Sequence, residues 1–363
     1  MFFLLLIFTA IYIVFFLFII SGLFKHNVLS ISNLDTLPYV SVIIAARNEE
    51  NNLPELIDDL INQEYPLGKF EIIIINDRSY DSTQDILIQA SENYSFIKHI
   101  KIDKKSKHMT PKKNALNRGI KEAKGELILA TDADCRVGPL WIASMAYSLI
   151  NKNGIIIGYS EIDDKKGTVF EKYQKIDFLA ILTANAGAAG WKHYWSGSGQ
   201  NLAYYKKDYL QIGGFDPVKN KISGDDMYLV QAISRLKKGY VHIDPNSHVK
   251  TKPMKSIKEF LNQRIRWSSN SKSNFKNTPI FFTFLLVSFF ENLFIFFSIV
   301  FFKQGYLIWV GKVVLDGIII LFGAKLFEKS FDIKTYLFWA ILQPFYIPLI
   351  GFLGLFNKFS WKK

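Results

Sequence analysis

The sequence predicts an α/β domain built on a mostly parallel sheet and carried between apolar helices long enough to cross a membrane. Three observations predict it. From residue 38 onward, short apolar runs rich in β-branched residues alternate with amphipathic stretches, the rhythm of strand–helix units that build a parallel sheet. Three of the first four runs end in polar, mostly acidic residues, where sheets of this kind place their ligands. Both ends of the chain carry long apolar tracts that hold few charges or none.

Residues 2–24 carry no charge, and Lys25 is the first charged residue. A helix of roughly 20 apolar residues spans the ~30 Å hydrocarbon core of a bilayer, so residues 1–24 read as a transmembrane anchor. The tract lacks a basic start and is too long for the apolar core of a cleaved signal peptide. The polar region follows, over residues 38–270. Residues 39–46 (YVSVIIAA) read as a buried strand and 49–63 as a helix with acidic residues early. Residues 70–75 (FEIIII), 96–102 and 126–130 (ELILA) read as three further strands, with helices over 81–93 and 111–124 between them, the latter with Pro111 in its first turn. A further helix is predicted over 225–237.

Residues 279–302 carry one charge, Glu291, and 335–357 carry none. Residues 305–323 are a weaker candidate, because Lys312 and Asp316 lie inside, four apart and able to pair on one helical face. Residues 279–357 are therefore expected to form two to three transmembrane segments. The Lys- and Arg-rich region after the first tract places 25–278 in the cytoplasm by the positive-inside rule, which makes the chain a multi-pass cell-membrane protein with a cytoplasmic domain. Four full spans would put Lys358, Lys362 and Lys363 outside, against that rule, and Pro344 and Pro348 suit a segment that is interfacial or re-entrant. The single cysteine, Cys135, permits no intrachain disulfide, in keeping with a reducing compartment. The net charge of +12 is spread along the chain without a nucleic-acid module; it suits membrane lipids and phosphorylated substrates better than nucleic acid.

The strand ends carry the chemistry. Strand one runs into Ala46-Arg47-Asn48-Glu49-Glu50, strand two into Asn76-Asp77-Arg78, and strand four into Thr131-Asp132-Ala133-Asp134. Each taken alone also reads as a helix N-cap, a role that suits the nearby Asp81 better than Asp77 or Asp132. Three acidic clusters at one sheet edge repel one another unless a cation sits among them. Asp132 and Asp134, one residue apart past a buried strand, suit a divalent cation, Mg²⁺ or Mn²⁺, which takes oxygen ligands and keeps room for phosphates. Asp225-Asp226 at a helix start either charges that helix end or supplies a general base. Arg264 and Arg266 complement phosphate oxygens, and Trp267 offers a flat apolar face; the alternative for all three is an amphipathic helix on the membrane surface. The six histidines are scattered without metal-ligand spacing, and Gly213-Gly214-Phe215 reads as a tight turn.

The ordered stretches VSVIIAARNEENNL (40–53), NDRSYDST (76–83), PKKNALNRGI (111–120), DADC (132–135), SGSGQNLAYYKK (196–207), IGGFD (212–216), SGDDMYL (223–229) and QRIRW (263–267) together resemble the family 2 glycosyltransferases. The subgroup resembled is the membrane-bound one with a Q-x-x-R-W motif. The resemblance covers about residues 38–270. It implies the GT-A fold of nucleotide-diphospho-sugar transferases, a Rossmann-like and mostly parallel sheet, and inverting transfer from a nucleotide sugar, commonly a UDP-sugar, to an acceptor. Glu49 and Asp77 match positions that bind the base and ribose, Lys112 a lysine near the nucleotide, and Asp132 and Asp134 the diphosphate and metal motif. Asp226 matches the general base, and Asp225 stands where the family more often has Glu. Arg266 matches the contact to the departing diphosphate; Gln263, Arg264 and Trp267 fall on the acceptor side. Within the family, a lipid-linked or membrane-embedded acceptor in glycolipid or cell-envelope glycan synthesis is expected, because two or three C-terminal segments are too few to enclose a channel for polymer. Processive polysaccharide synthases of the cellulose, chitin and hyaluronan type are the alternative within the family. A nucleotide-binding membrane protein without activity is the alternative outside it. Sequence leaves the sugar and the oligomeric state open.

Overall fold

The computed structural model describes residues 2–31, 38–301 and 305–356, with the side chains of 272 and 273 also outside the description. In chain order the elements are α1 (Phe2–Leu23), β1 (Val40–Ala46), α2 (Leu53–Ile61), β2 (Phe70–Asp77), α3 (Thr83–Asn93), β3 (Ile97–Ile102), α4 (Pro111–Glu122) and β4 (Leu127–Ala130). They continue with β5 (Cys135–Val137), α5 (Trp141–Lys152), β6 (Ile155–Gly158), β7 (Ser160–Ile162), α6 (Val169–Gly190), β8 (Leu202–Tyr205) and α7 (Lys206–Gln211). The last are α8 (Asp225–Leu236), β9 (Gly239–His242), β10 (Val249–Thr251), α9 (Ile257–Ser268), α10 (Ser271–Asn277), α11 (Pro279–Phe301), α12 (Gly305–Leu326) and α13 (Ile333–Leu355). The chain divides into two units, one of residues 26–161 and 196–252 and one of 1–25, 162–195 and 253–363.

The first unit holds a seven-stranded sheet in the order β3-β2-β1-β4-β8-β6-β9 and a three-stranded one in the order β5-β10-β7. β1 pairs in parallel with β2, Ala46 opposite Asn76, and with β4, Ile43 opposite Ala130. β8 runs antiparallel to both β4 and β6. Val40, Val42, Ile44, Ile72, Ile74, Leu127 and Leu129 are fully buried, and seven core side chains of this size contribute roughly 10–20 kcal/mol of transfer free energy. Strands covered on both faces read as unbroken apolar runs rather than alternating ones, which is why β1, β2 and β4 are visible in the sequence. Glu71 interrupts β2 at 1 % exposure, and Ser41, Lys98 and the Lys124 amide all donate to its carboxylate. Those donors hold it below the usual carboxylate range although burial alone would raise it.

Helix α2 starts at Leu53, four residues later than the predicted 49. Asn48 has a left-handed backbone (φ 55°) and the amides of Asn52 and Leu53 both bond the Glu49 carbonyl, so 48–52 form a turn ahead of the helix. α3 likewise starts at Thr83, because Asp81 stays outside and accepts from the Thr83 amide at 3.1 Å. The tight turn at Gly213 and Gly214 has φ values of 78° and 57°, which only glycine adopts freely.

Among the described residues, the second unit contains four helices long and apolar enough to cross a membrane: α1, α11, α12 and α13. α12 and α13 are continuous over 22 and 23 residues, and Pro344 and Pro348 lie inside α13. Lys358, Lys362 and Lys363 lie outside the described residues. Lys312 and Asp316 form the expected pair at 2.5 Å and are joined by the Tyr12 hydroxyl of α1. Thr9 of α1 donates to Glu291 of α11 at 3.0 Å. α6 belongs to this unit rather than to the sheet. A Cβ on Gly22 of α1 would overlap the Gly187 carbonyl of α6, and one on Gly190 would overlap the Gly22 carbonyl. Small residues that let backbones touch are a standing device for helix pairs in apolar surroundings.

Candidate active site

The strand order gives the site its place. From β1 the chain goes outward to β2 and β3, then crosses back to β4 on the other side of β1, and the carboxyl ends of strands flanking such a reversal form a crevice. Asp77 closes β2, and Glu49, Asp132 and Asp134 follow the ends of β1 and β4.

The loops after β1 and β2 are cross-tied. The Asn48 amide donates to Ser79 Oγ at 2.9 Å, the Glu49 amide to Thr83 Oγ1 at 2.8 Å, and the Tyr80 amide to Asn48 Oδ1 at 3.0 Å. Glu49 is nearly buried and accepts from Asn52 Nδ2 at 2.5 Å. Asp77, 5 % exposed, is held by Arg78 through Nε at 2.8 Å and Nη2 at 3.1 Å. Asp81, which the sequence treats as a cap, accepts from the Glu50 and Thr83 amides and so stays in the frame of these loops.

A second cluster joins β4, α4 and α8. Lys112 Nζ donates to Asp132 Oδ1 at 2.7 Å. Burial alone would lower the Lys112 ammonium; the carboxylates of Asp132, Asp225 and Asp226 outweigh it and hold it above its usual range. Asp226 Oδ1 accepts from the Met227 amide at 2.7 Å and Oδ2 from the Gly199 amide at 3.2 Å. Burial first and the adjacent Asp225 second push Asp226 up to about 6, against the pull of the two amides and of Lys112. Two acids side by side at a helix N-terminus thus yield one poised near neutral pH. The structure brings Lys112, Asp132, Asp225 and Asp226 into one electrostatic group.

Among the described residues no three His, Cys, Asp or Glu gather as a metal cage. Asp132 and Asp134 are both half-buried and flank buried Ala133. Mg²⁺ is usually held by one or two carboxylates together with substrate phosphates, so the pair fits an ion shared with a diphosphate rather than one enclosed by protein. Cys135, next in sequence, is buried, and burial with Asp134 and Asp132 pushes its thiol well up; that is no nucleophile.

Gln263, Arg264, Arg266 and Trp267 lie on α9 of the other unit. Arg264 is 4 % exposed and turns inward: Nε donates to Asp177 Oδ2 of α6 at 2.7 Å, and its guanidinium stacks between Phe260 and Trp267 at 4.5 and 4.3 Å. Trp339 of α13 donates to the other Asp177 oxygen at 3.1 Å. Gln263 accepts from Arg264 Nη1. Contact of Arg264 with an acceptor requires breaking this ion pair.

Sequence reasoning passed over Gly199, Lys113 and Asp177. Gly199 lay in a matched stretch but nothing marked its amide as the donor to Asp226. Asp177 had a signal, as a lone acid in the apolar run IDFLAIL.

A buried, mostly parallel sheet with acids at its carboxyl edge and a lysine among them is the layout expected of a nucleotide-diphospho-sugar transferase. Residues 41–221 match the model of glycosyl transferase family 2, and the chain belongs to that family. The Bacillus subtilis (strain 168) protein named probable glycosyltransferase YdaM is 29% identical over 244 residues, 66% of this chain and 57% of that protein. Beta-monoglucosyldiacylglycerol synthase of Nostoc sp. (strain PCC 7120 / SAG 25.82 / UTEX 2576) is 39% identical over 103 residues, 28% of this chain and 21% of that protein. The chain therefore spans little more than half the length of the first of these relatives and a fifth of the second. The family relatives include glycolipid and polysaccharide synthases. Among solved structures, the mannosyltransferase PcManGT from Pyrobaculum calidifontis, in complex with GDP-Man and Mn²⁺, matches 98% of both chains with a TM-score of 0.64 at 17% identity. That likeness establishes the GT-A fold.

Proposed function

We propose that this protein is an inverting glycosyltransferase that moves a sugar from a nucleoside-diphosphate donor, a UDP-sugar, to a lipid-linked or membrane-embedded acceptor at the cytoplasmic face of the membrane. The observation that carries the reading is Asp226: a carboxylate fixed by two backbone amides, raised to about 6, beside the Lys112–Asp132 pair. In this reading Asp226 takes the proton of the acceptor hydroxyl as its oxygen bonds the anomeric carbon on the face opposite the diphosphate. The bond from that carbon to the diphosphate oxygen breaks, and the nucleoside diphosphate leaves with the electron pair.

Glu49 and Asp77 hold the base and ribose, Lys112 and Arg266 the diphosphate, and Asp225 shapes the acceptor side. Asp132 and Asp134 would hold Mg²⁺ or Mn²⁺, which supplies charge neutralisation on the leaving diphosphate. Gln263 and Trp267 contribute to the acceptor side, with Arg264 acting from behind them through Asp177. A lipid acceptor is supported by four apolar helices and by the 39% identity to a beta-monoglucosyldiacylglycerol synthase over 103 residues.

The test is a screen of radiolabelled nucleotide sugars against membranes and purified protein with Mn²⁺ or Mg²⁺, with Asp226→Asn as control. The expected result is a labelled lipid-extractable product in the wild type and a loss of about 10³-fold or more in the variant. Equal product from the variant rejects the base. Long polymer from the purified enzyme rejects single transfer, and donor binding without turnover rejects catalysis altogether.

A further inference from the structure

Lys113 follows Lys112 on α4 but has no exposed surface (0 %). Lysine is almost never fully buried without a partner. Its partner is a neutral one: Nζ donates to the Lys221 carbonyl at 2.6 Å. Thr110, at the N-cap of the same helix, donates its hydroxyl to that same carbonyl at 3.2 Å and its amide to the Lys219 carbonyl at 3.0 Å. The gripped segment then passes through Gly224, whose φ of 80° is left-handed, straight into Asp225 at the start of α8. One helix end thus fixes, by three hydrogen bonds, the backbone that delivers the acid pair.

The buried charge also faces that pair. Burial pulls the Lys113 ammonium down, while Asp225 and Asp226 pull it up and Lys112 and Lys221 oppose them. Lys112 is engaged by Asp132 at 2.7 Å. Among the described residues the Lys113 ammonium bonds the Lys221 carbonyl rather than a carboxylate, so its charge acts on the acid pair through space. The groups facing Asp226 are Asp225 on α8, Lys112 and Lys113 on α4, and the amides of Gly199 and Met227.

We propose that Lys113 is a positioning residue for the transfer reaction: its ammonium tethers the 219–224 segment and supplies a fixed positive charge behind the Asp225–Asp226 pair. The inference rests on Asp226 as the general base. It separates two adjacent lysines into two duties, Lys112 toward the diphosphate and Lys113 toward the base.

The test compares pH profiles of kcat for Lys113→Met, Lys113→Arg and Thr110→Val in the full-length, membrane-inserted enzyme. Lys113→Met removes the charge at similar volume; it is expected to move the acid limb upward by about one pH unit, which cuts kcat about twofold at pH 7 and about fivefold at pH 6. Donor KM is expected to stay within about twofold, because Lys113 does not face the donor. Lys113→Arg keeps the charge and leaves the limb in place. Thr110→Val loosens the same segment without changing charge; it lowers kcat and leaves the limb unmoved. Should Lys113→Met fail to fold, Lys113→Gln removes the charge while leaving a donor for the Lys221 carbonyl, and its limb is expected to rise in the same direction. A neutral variant with the wild-type limb overturns the proposal, as does an equal shift in the Met and Arg variants. Full activity of Asp226→Asn is a different outcome: it removes the base itself and is read independently of any Lys113 variant.

Discussion

Asp226 owes its basicity to burial first and to Asp225 second, and both causes can be changed separately. A base must be deprotonated to act, so kcat is expected to fall about tenfold per pH unit below about 6 and to level off above it. Asp225→Asn removes the like charge; the acid limb should then move down by about one pH unit, while activity at neutral pH stays within about tenfold of wild type. A limb that does not move in a pH series of this variant would show that Asp225 is electrostatically silent. His242 makes a stability prediction of the opposite kind. It is buried against Ser144 Oγ at 2.8 Å, and burial lowers it to about 4. Its folded value lies below the unfolded one of about 6.5, so the unfolded chain binds the proton first. Stability is fully present above that value and is lost as pH falls toward about 4, by roughly 2–3 kcal/mol if this group acted alone. Urea unfolding of wild type and His242→Gln across pH 7 to 4 checks it, the variant giving the shallower slope. At this scale the acids were legible because they terminate apolar strands, a pattern that sequence displays directly. Lys113 was not, since successive helical positions point about 100° apart and nothing in Pro111-Lys112-Lys113 says which lysine turns inward.

Helix α9 depends on an ion pair that neither α6 nor α13 announces. Removing one partner of a buried pair leaves an uncompensated charge and costs about 3–5 kcal/mol, whereas removing both is far milder. Asp177→Asn is thus expected to lower the thermal midpoint in detergent by several degrees, and Asp177→Asn combined with Arg264→Met to recover most of it. A double-mutant cycle with no coupling would mean that Phe260 and Trp267 hold Arg264 without Asp177. The seam of α1 and α6 offers a steric test: Gly187→Leu meets the backbone of Ile19 and should cost about 2 kcal/mol or more. β1 to β4 and α4 were readable to within a residue or two, because apolar runs and Pro111 mark them locally. β8 and β9, by contrast, are short strands of four residues whose partners lie far off in sequence, and no local pattern reports long-range pairing. α6 escaped for another reason: its opening EKYQK looks like a solvated surface, yet Tyr173, Gln174 and Ile176 are buried.

For the molecule as a whole, the proposed metal gives the broadest prediction. Chelation by EDTA is expected to reduce transfer by about 100-fold or more, with recovery on adding Mn²⁺ or Mg²⁺. Asp134→Asn should raise the metal concentration for half-maximal rate about tenfold, a value read from a metal titration. Full activity in EDTA would remove the metal and leave Lys112 and Arg266 to neutralise the leaving group. Four apolar helices predict resistance to alkaline carbonate extraction, checked by fractionation. The insertion of α6 bears on how the chain is made. Translation delivers β1 to β7 first, then α6, and only afterwards β8, the strand that lies between β4 and β6 in the finished sheet. The sheet cannot close while the ribosome is still short of residue 205. α12 and α13, which pack on α6 through Thr183 against Gly323 and Asp177 against Trp339, emerge more than a hundred residues later. In the interval α6 waits with an apolar face uncovered, so the nascent chain needs either an early association with α1 at the membrane or a chaperone, and trimming the terminal helices to gain a soluble enzyme would make that temporary exposure permanent.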